Sequence, residues 1–128
     1  MLFLSRIEGV SADNIASLEE EILSWKAQAH TLRALYYLQL IKRYGAVPLI
    51  TEPYEIQHDF SKDARTPVST IIKQILDDCD AAMATPASTL GFSWTVRTGE
   101  NFIMNRAVVQ AIRSQAILYA ASPLYSDN

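Results

Sequence analysis

One helix constrains this chain more than any other feature. Ser17-Leu18-Glu19-Glu20 has the Ser-x-x-Glu form of a capping box, in which the two side chains satisfy orphan backbone N–H groups at a helix start. Glu19, Glu20 and Glu21 then fall in the first turn and Lys42 and Arg43 in the last, the charge order the helix dipole favours, and Gly45 supplies the stop. The predicted span is 18–44. Ile22, Trp25, Ala29, Leu32, Tyr36 and Leu40 recur at helical spacing, while Leu35, Tyr37, Leu38 and Ile41 add a second apolar flank to the C-terminal half. A helix that is apolar on two sides belongs in the middle of a multi-helix layer. For the same reason the chain by itself should expose apolar surface, and self-association or marginal stability is expected.

The residues after this helix read as an extended run, Ala46 to Ile50, because Pro48 has no N–H and biases Val47 away from helix. A long loop follows to about Arg65. Thr66-Pro67 then has the form of an N-cap with proline at the first helical position, and Val68, Ile71, Ile72, Ile75, Leu76, Cys79, Ala82 and Met83 keep one helical stripe, predicting a second helix over 67–84. Residues Thr85 to Asn101, rich in Pro, Ser, Thr and Gly, read as an irregular connection. The last helix is predicted over 105–121, with Asn105 as its cap, Ala107, Ala111, Ala116 and Ala120 as positions of close approach, and Pro123 as its end. Met1 to Glu8 read as the tail of another helix. Leu32, Tyr36, Ile72, Ile75, Ala111 and Leu118 are expected in the core, as are Trp25, Tyr37 and Tyr119. The fold class that follows is all-α, built from tetratricopeptide-like antiparallel helix pairs.

The chemistry is sparse. A hydrophobic fraction of 49% with 20% charged residues excludes a disordered chain, and a net charge of -3 with no block of Lys or Arg excludes a nucleic-acid face. HExxH, GxSxG, Walker, CxxC and calcium-loop patterns are all missing, which favours a binding protein over an enzyme and calls for no cofactor and no metal. Cys79 reads as a small core residue, His30 and His58 as ordinary residues, and Asp77, Asp78 and Asp80 as a solvated face. The apolar start Met1-Leu2-Phe3-Leu4 is too short for the ~7–15-residue core of a signal peptide.

Aromatic side chains offer the remaining signal, since sugar rings present flat C–H faces that stack on Trp and Tyr. Trp94 and Phe92 are the large aromatics of the polar connection. Trp94, between Gly91-Phe92-Ser93 and Thr95-Val96-Arg97, either stacks on a sugar or folds back to plug the edge of the helical layer. Arg97 either reaches sugar hydroxyls or pairs with Glu100, and Tyr54, beside Pro53 in the first loop, is the third candidate.

The stretch Ala27-Gln28-Ala29-His30-Thr31-Leu32-Arg33-Ala34-Leu35-Tyr36-Tyr37-Leu38-Gln39-Leu40, followed by Arg43-Tyr44-Gly45-Ala46-Val47-Pro48-Leu49-Ile50, strongly resembles the SusD/RagB family. Ala46 stands where that family has a second glycine. Arg65-Thr66-Pro67-Val68 and Ala116-Ile117-Leu118-Tyr119-Ala120-Ala121-Ser122-Pro123-Leu124-Tyr125 look like its later landmarks in the same order, whereas Asn101 to Arg106 depart from its pattern. Arg33, Ala34, Tyr36, Tyr37, Tyr44, Gly45, Pro48, Tyr119 and Pro123 are the scaffold residues carried by this likeness.

The resemblance implies that residues 1–128 are one helical domain, part of an α/α superhelix within a larger protein. It also implies a surface lipoprotein of the bacterial outer membrane, anchored by a lipid outside this chain, that binds an oligosaccharide or other nutrient. Such a protein passes its ligand to a SusC-like TonB-dependent transporter and breaks no bonds. A free-standing tetratricopeptide-like protein-interaction module is the alternative reading.

Overall fold

The computed structural model describes residues 16–95 and 103–123, together with Leu4. Three α-helices organise them: α1 (Ala16–Tyr44), α2 (Val68–Met83) and α3 (Arg106–Ala120), with a short 3-10 turn at Phe60–Lys62 in the loop between the first two. The fold of the described residues is all-helical, with a single antiparallel bridge between Val47 and Thr66 as their only strand-like pairing. That bridge ties the end of α1 to the start of α2, and Asp78 near the end of α2 meets His30 and Arg33 on α1, so these helices run antiparallel. Arg106 at the start of α3 bonds the carbonyl of Met83 at the end of α2, which makes the second pair antiparallel as well. Of the N-terminal segment Met1 to Glu8, only Leu4 falls within the described residues, and it is helical.

The caps explain where the elements start and stop, and two of them differ from the sequence reading. Helix α1 is already formed at Ala16, so Ser17 lies inside it, and Glu20 Oε1 accepts the Leu90 N–H at 2.8 Å, away from the start of its own helix. Thr66 does not cap α2 either. Its N–H donates to the Val47 carbonyl at 3.0 Å and its hydroxyl accepts the Leu49 N–H at 3.1 Å, leaving Pro67 as the cap residue with its carbonyl accepting from Thr70 and Ile71. Asn105 caps α3 as expected, its side chain accepting the Val108 N–H at 3.0 Å. Gly45 closes α1 with φ +66°, a left-handed conformation that a β-carbon makes costly, and its N–H donates to the Ile41 carbonyl.

The packed face of α1 is not the stripe of large apolar residues. Ser24, Ala27, Thr31, Ala34, Leu38 and Ile41, spaced by three and four, point into the core, where they meet Ile71, Ile75, Cys79 and Ala82 of α2 and Val109, Ile112 and Ala116 of α3. Small residues let the helix axes approach, and the Thr31 hydroxyl is satisfied internally by donating to the Ala27 carbonyl at 2.7 Å. Trp25, Leu32 and Tyr36, expected in the core, therefore turn the other way. Tyr36 is 64% exposed, Trp25 is exposed, and Leu32 is half-buried outside the core cluster. On α3, Leu118 and Ala111 are exposed, as are Ala107 and Ala120, because Val109, Ile112 and Ala116 claim the inward face. Tyr37, Ile72 and Ile75 are buried as expected, and Tyr119 is half-buried.

These positions separate in a stability measurement. Leu38→Ala should cost about 2–5 kcal/mol and Leu32→Ala less than about 2, because the first leaves a cavity between three helices and the second trims a wall already open on one side. Urea denaturation of both variants checks this, and equal losses would return Leu32 to the core.

Candidate ligand-binding site

The connection after α2 is built around Phe92. Its N–H donates to the Thr89 carbonyl at 3.1 Å, Thr89 in turn donates to Pro86, and Leu90 is held by Glu20 of α1. Gly91 has φ +80°, and a β-carbon there would stand 3.0 Å from Ser24 Oγ, so glycine lets the chain lie against α1. The turn drives the Phe92 ring fully into the core. The Ser93 carbonyl then accepts the Arg106 N–H at 3.2 Å, and Ser93 Oγ donates to the Thr95 carbonyl at 2.7 Å.

Trp94, two residues on, faces outward and is 51% exposed. The Arg106 guanidinium lies over both rings, 5.4 Å from the Trp94 ring centre and 6.0 Å from that of Phe92. Arg106 is itself buried, donating to the Thr85 carbonyl at 2.6 Å and to the Met83 carbonyl at 3.1 Å, where it satisfies the C-terminal end of α2. Arg106 was not a candidate on sequence grounds. The only signal available was its place directly after the Asn105 cap, and nothing in the spacing tells that a residue there reaches back to an aromatic twelve positions earlier.

Tyr54 sits in a second cluster, in the loop between α1 and α2. Its ring stacks on His58 at 3.8 Å between centres and meets Phe60 edge-on at 5.3 Å. Asp63 ties the cluster together, accepting from the Tyr54 hydroxyl at 2.7 Å and from His58 Nε2 at 2.8 Å. Those two hydrogen bonds hold the Asp63 carboxyl below its usual range, and the bond to Asp63 raises the Tyr54 phenol. The flat face Tyr54 turns to His58 is thus occupied, while Phe60 and Ile56 are exposed on the same loop. Tyr54 and Trp94 have separate partners on separate loops, and Arg97, with Glu100, lies outside the described residues.

The scaffold residues have clear local work. Arg33 holds Asp78 with two nitrogens, Nε at 2.6 Å from Oδ2 and an Nη on Oδ1, and His30 Nδ1 donates to the same Oδ1 at 2.8 Å. Asp78 is 1% exposed, so the solvated acidic face is corrected at this position: the residue is a buried anchor between α1 and α2. Burial pushes its carboxyl up, but the His30 and Arg33 hydrogen bonds and charges outweigh that and hold it below the ordinary carboxylate range. The Tyr37 hydroxyl donates to the Ile50 carbonyl at 3.2 Å and accepts the Ile50 N–H at 2.7 Å, latching the half-buried Pro48 segment to α1. Ala34 is fully buried, Tyr44 is exposed, Lys42 Nζ lies 5.2 Å from the Tyr119 ring centre, and Pro123 follows the end of α3. Cys79 is buried as expected, its thiol pushed up to about 11 by desolvation, out of the reactive range.

On the far side of α1 an open groove of about 750 Å³ is lined by Trp25, Gln28, Leu32, Tyr36, Tyr37 and Ile50, with Leu4 at its wall. Among its described polar groups, Gln28 donates to Ser24 and Arg33 is engaged by Asp78. No helix among the described residues is long and apolar enough to cross a membrane.

A family model described as SusD-like, starch-binding associating with outer membrane, matches residues 2–90. The match takes in the landmarks from Arg33 to Pro67 and ends before Trp94. No curated protein and no solved structure matches the chain. With a family match over well more than half of its length and an all-helical fold, this chain belongs to the SusD-like family, whose members bind starch and associate with the outer membrane.

Proposed function

We propose that this protein captures an oligosaccharide at the bacterial surface through stacking on Trp94 and delivers it to a SusC-like TonB-dependent transporter without cleaving it. Membership of a starch-binding family supports the ligand class. The observation that carries the site is the division of labour between Phe92 and Trp94: the core takes the first ring, so packing does not account for the ordered exposure of the second. A large aromatic held at the surface of a structured loop is what stacking on a sugar face requires. Tyr54 and Arg97 are the lesser candidates, Tyr54 because His58 already covers one of its faces.

Calorimetric titration of the intact protein against a panel of neutral and acidic oligosaccharides tests the site. By analogy with the stacking of nucleobases on aromatic side chains, Trp94→Ala should weaken binding by about 1–3 kcal/mol, with the melting temperature almost unchanged. Unchanged affinity with a lowered melting temperature would make Trp94 structural and move the ligand elsewhere. Delivery is tested by affinity purification from outer membranes: a co-purifying TonB-dependent transporter supports it, and an unrelated protein partner in its place would favour the interaction-module reading.

A further inference from the structure

We propose that Arg106 is the positioning residue of the Trp94 platform, a buried cation that fixes the inner face of the indole so that its outer face meets ligand in one orientation. The inference rests on the proposed role of Trp94 in glycan binding. Three observations carry it. The guanidinium lies 5.4 Å from the Trp94 ring centre while the residue is only 7% exposed, a geometry in which a desolvated cation attracts the ring face strongly. Its terminal nitrogens are anchored to two carbonyls at the end of α2, at 2.6 and 3.1 Å, so the cation cannot follow the indole if the loop moves. Its Nε is buried without a hydrogen-bond partner among the described residues, and no described carboxylate forms an ion pair with it.

An arginine needed only to cap α2 would not require a ring on its outer side. Here the planar guanidinium lies over an aromatic that belongs to the core and within reach of one that does not. Arg106 thereby links the orientation of an exposed side chain to the rigid junction of α2 and α3. Stacking on a sugar depends on a ring held at a set angle, because an indole that samples several rotamers loses that freedom on binding. Lysine would keep the charge and could reach one carbonyl, but it lacks the planar fork and stacks less well.

The test uses the intact protein carrying Trp25→Phe, which leaves Trp94 as the only tryptophan among these residues. Arg106→Lys and Arg106→Met are compared with that parent. If Arg106 positions the indole, both variants raise acrylamide quenching of Trp94 and lower its fluorescence anisotropy without ligand, and both weaken the best oligosaccharide by about fivefold, the scale of a partly desolvated cation–π contact. Unaltered quenching, anisotropy and affinity in a folded Arg106→Lys protein would overturn the inference while leaving the Trp94 reading standing. A Trp94→Ala protein with undiminished affinity would instead remove the Trp94 reading itself. Should both Arg106 variants unfold, the unmutated side chain is observed directly by ¹⁵N NMR: a slowly exchanging Arg Nε–H that shifts on Trp94→Leu supports the contact, and a freely exchanging one that ignores Trp94 overturns it.

Discussion

Asp78→Ala is expected to destabilise the protein by about 3–5 kcal/mol, a large share of the ~5–15 kcal/mol that holds a domain together. The carboxylate is 1% exposed and receives Arg33 on both oxygens and His30 on one. Removing it takes from the Arg33 guanidinium, whose side chain is 14% exposed, the buried carboxylate that it contacts with two nitrogens. The pH dependence follows from the depressed carboxyl. A carboxylate whose folded pKa lies below its unfolded value contributes stability that is present above the unfolded value, about 3.9, and is lost as pH falls through the folded one. Acid should therefore erode wild-type stability more steeply below about pH 4 than that of Asp78→Asn. Urea denaturation between neutral and acid pH measures both effects. A neutral-pH loss below ~1 kcal/mol would mean that α1 and α2 are held by their apolar contact alone.

How far the sequence could be read depended on what competed for each position. Helix α2 was legible almost residue by residue, because Ile71, Ile72, Ile75, Cys79 and Ala82 form one stripe with no rival. Helix α1 has two apolar faces, and hydrophobicity pointed to the wrong one as the packed face. Trp25, Leu32 and Tyr36 outweigh Ala27, Thr31 and Ala34 on any transfer scale, yet axial approach favours the small side chains, so the large ones line the groove. Local polar signals misled where a tertiary partner offered more. Glu20 serves Leu90, seventy positions away, and Thr66 serves Val47 and Leu49 across a bridge, neither of which a capping pattern can anticipate. Asp78 lies between two other acidic residues and reads as surface until Arg33 and His30 are placed opposite it. The candidate site was legible only in part: Trp94 could be named from the polar residues around it, whereas Arg106 becomes visible only when α3 is folded against the end of α2.

Phe92→Ala should cost about 3–5 kcal/mol, although the residue sits in a stretch whose composition suggests a disposable loop. A plug from this connection into the helical layer was one of two readings open for Trp94, and the plug is Phe92. The ring is fully buried and belongs to the same cluster as Ala27, Ile75 and Val109. Its loss would open a cavity at the meeting point of all three helices and leave the aliphatic and cationic parts of Arg106 facing a void. The surrounding backbone cannot easily collapse into that space. Glu20 holds Leu90, Gly91 lies against Ser24, and the Ser93 carbonyl is bonded to the first residue of α3, so the loop is fixed on both sides of the missing ring. Trp94→Ala, two residues away, should change stability by less than about 1 kcal/mol, since half of that side chain is already in water and its ring partner among the described residues is a cation. Thermal and urea denaturation of the pair measured side by side decides it. Equal losses would mean that Trp94 shares the plugging role, and its exposure would then no longer need a ligand to account for it.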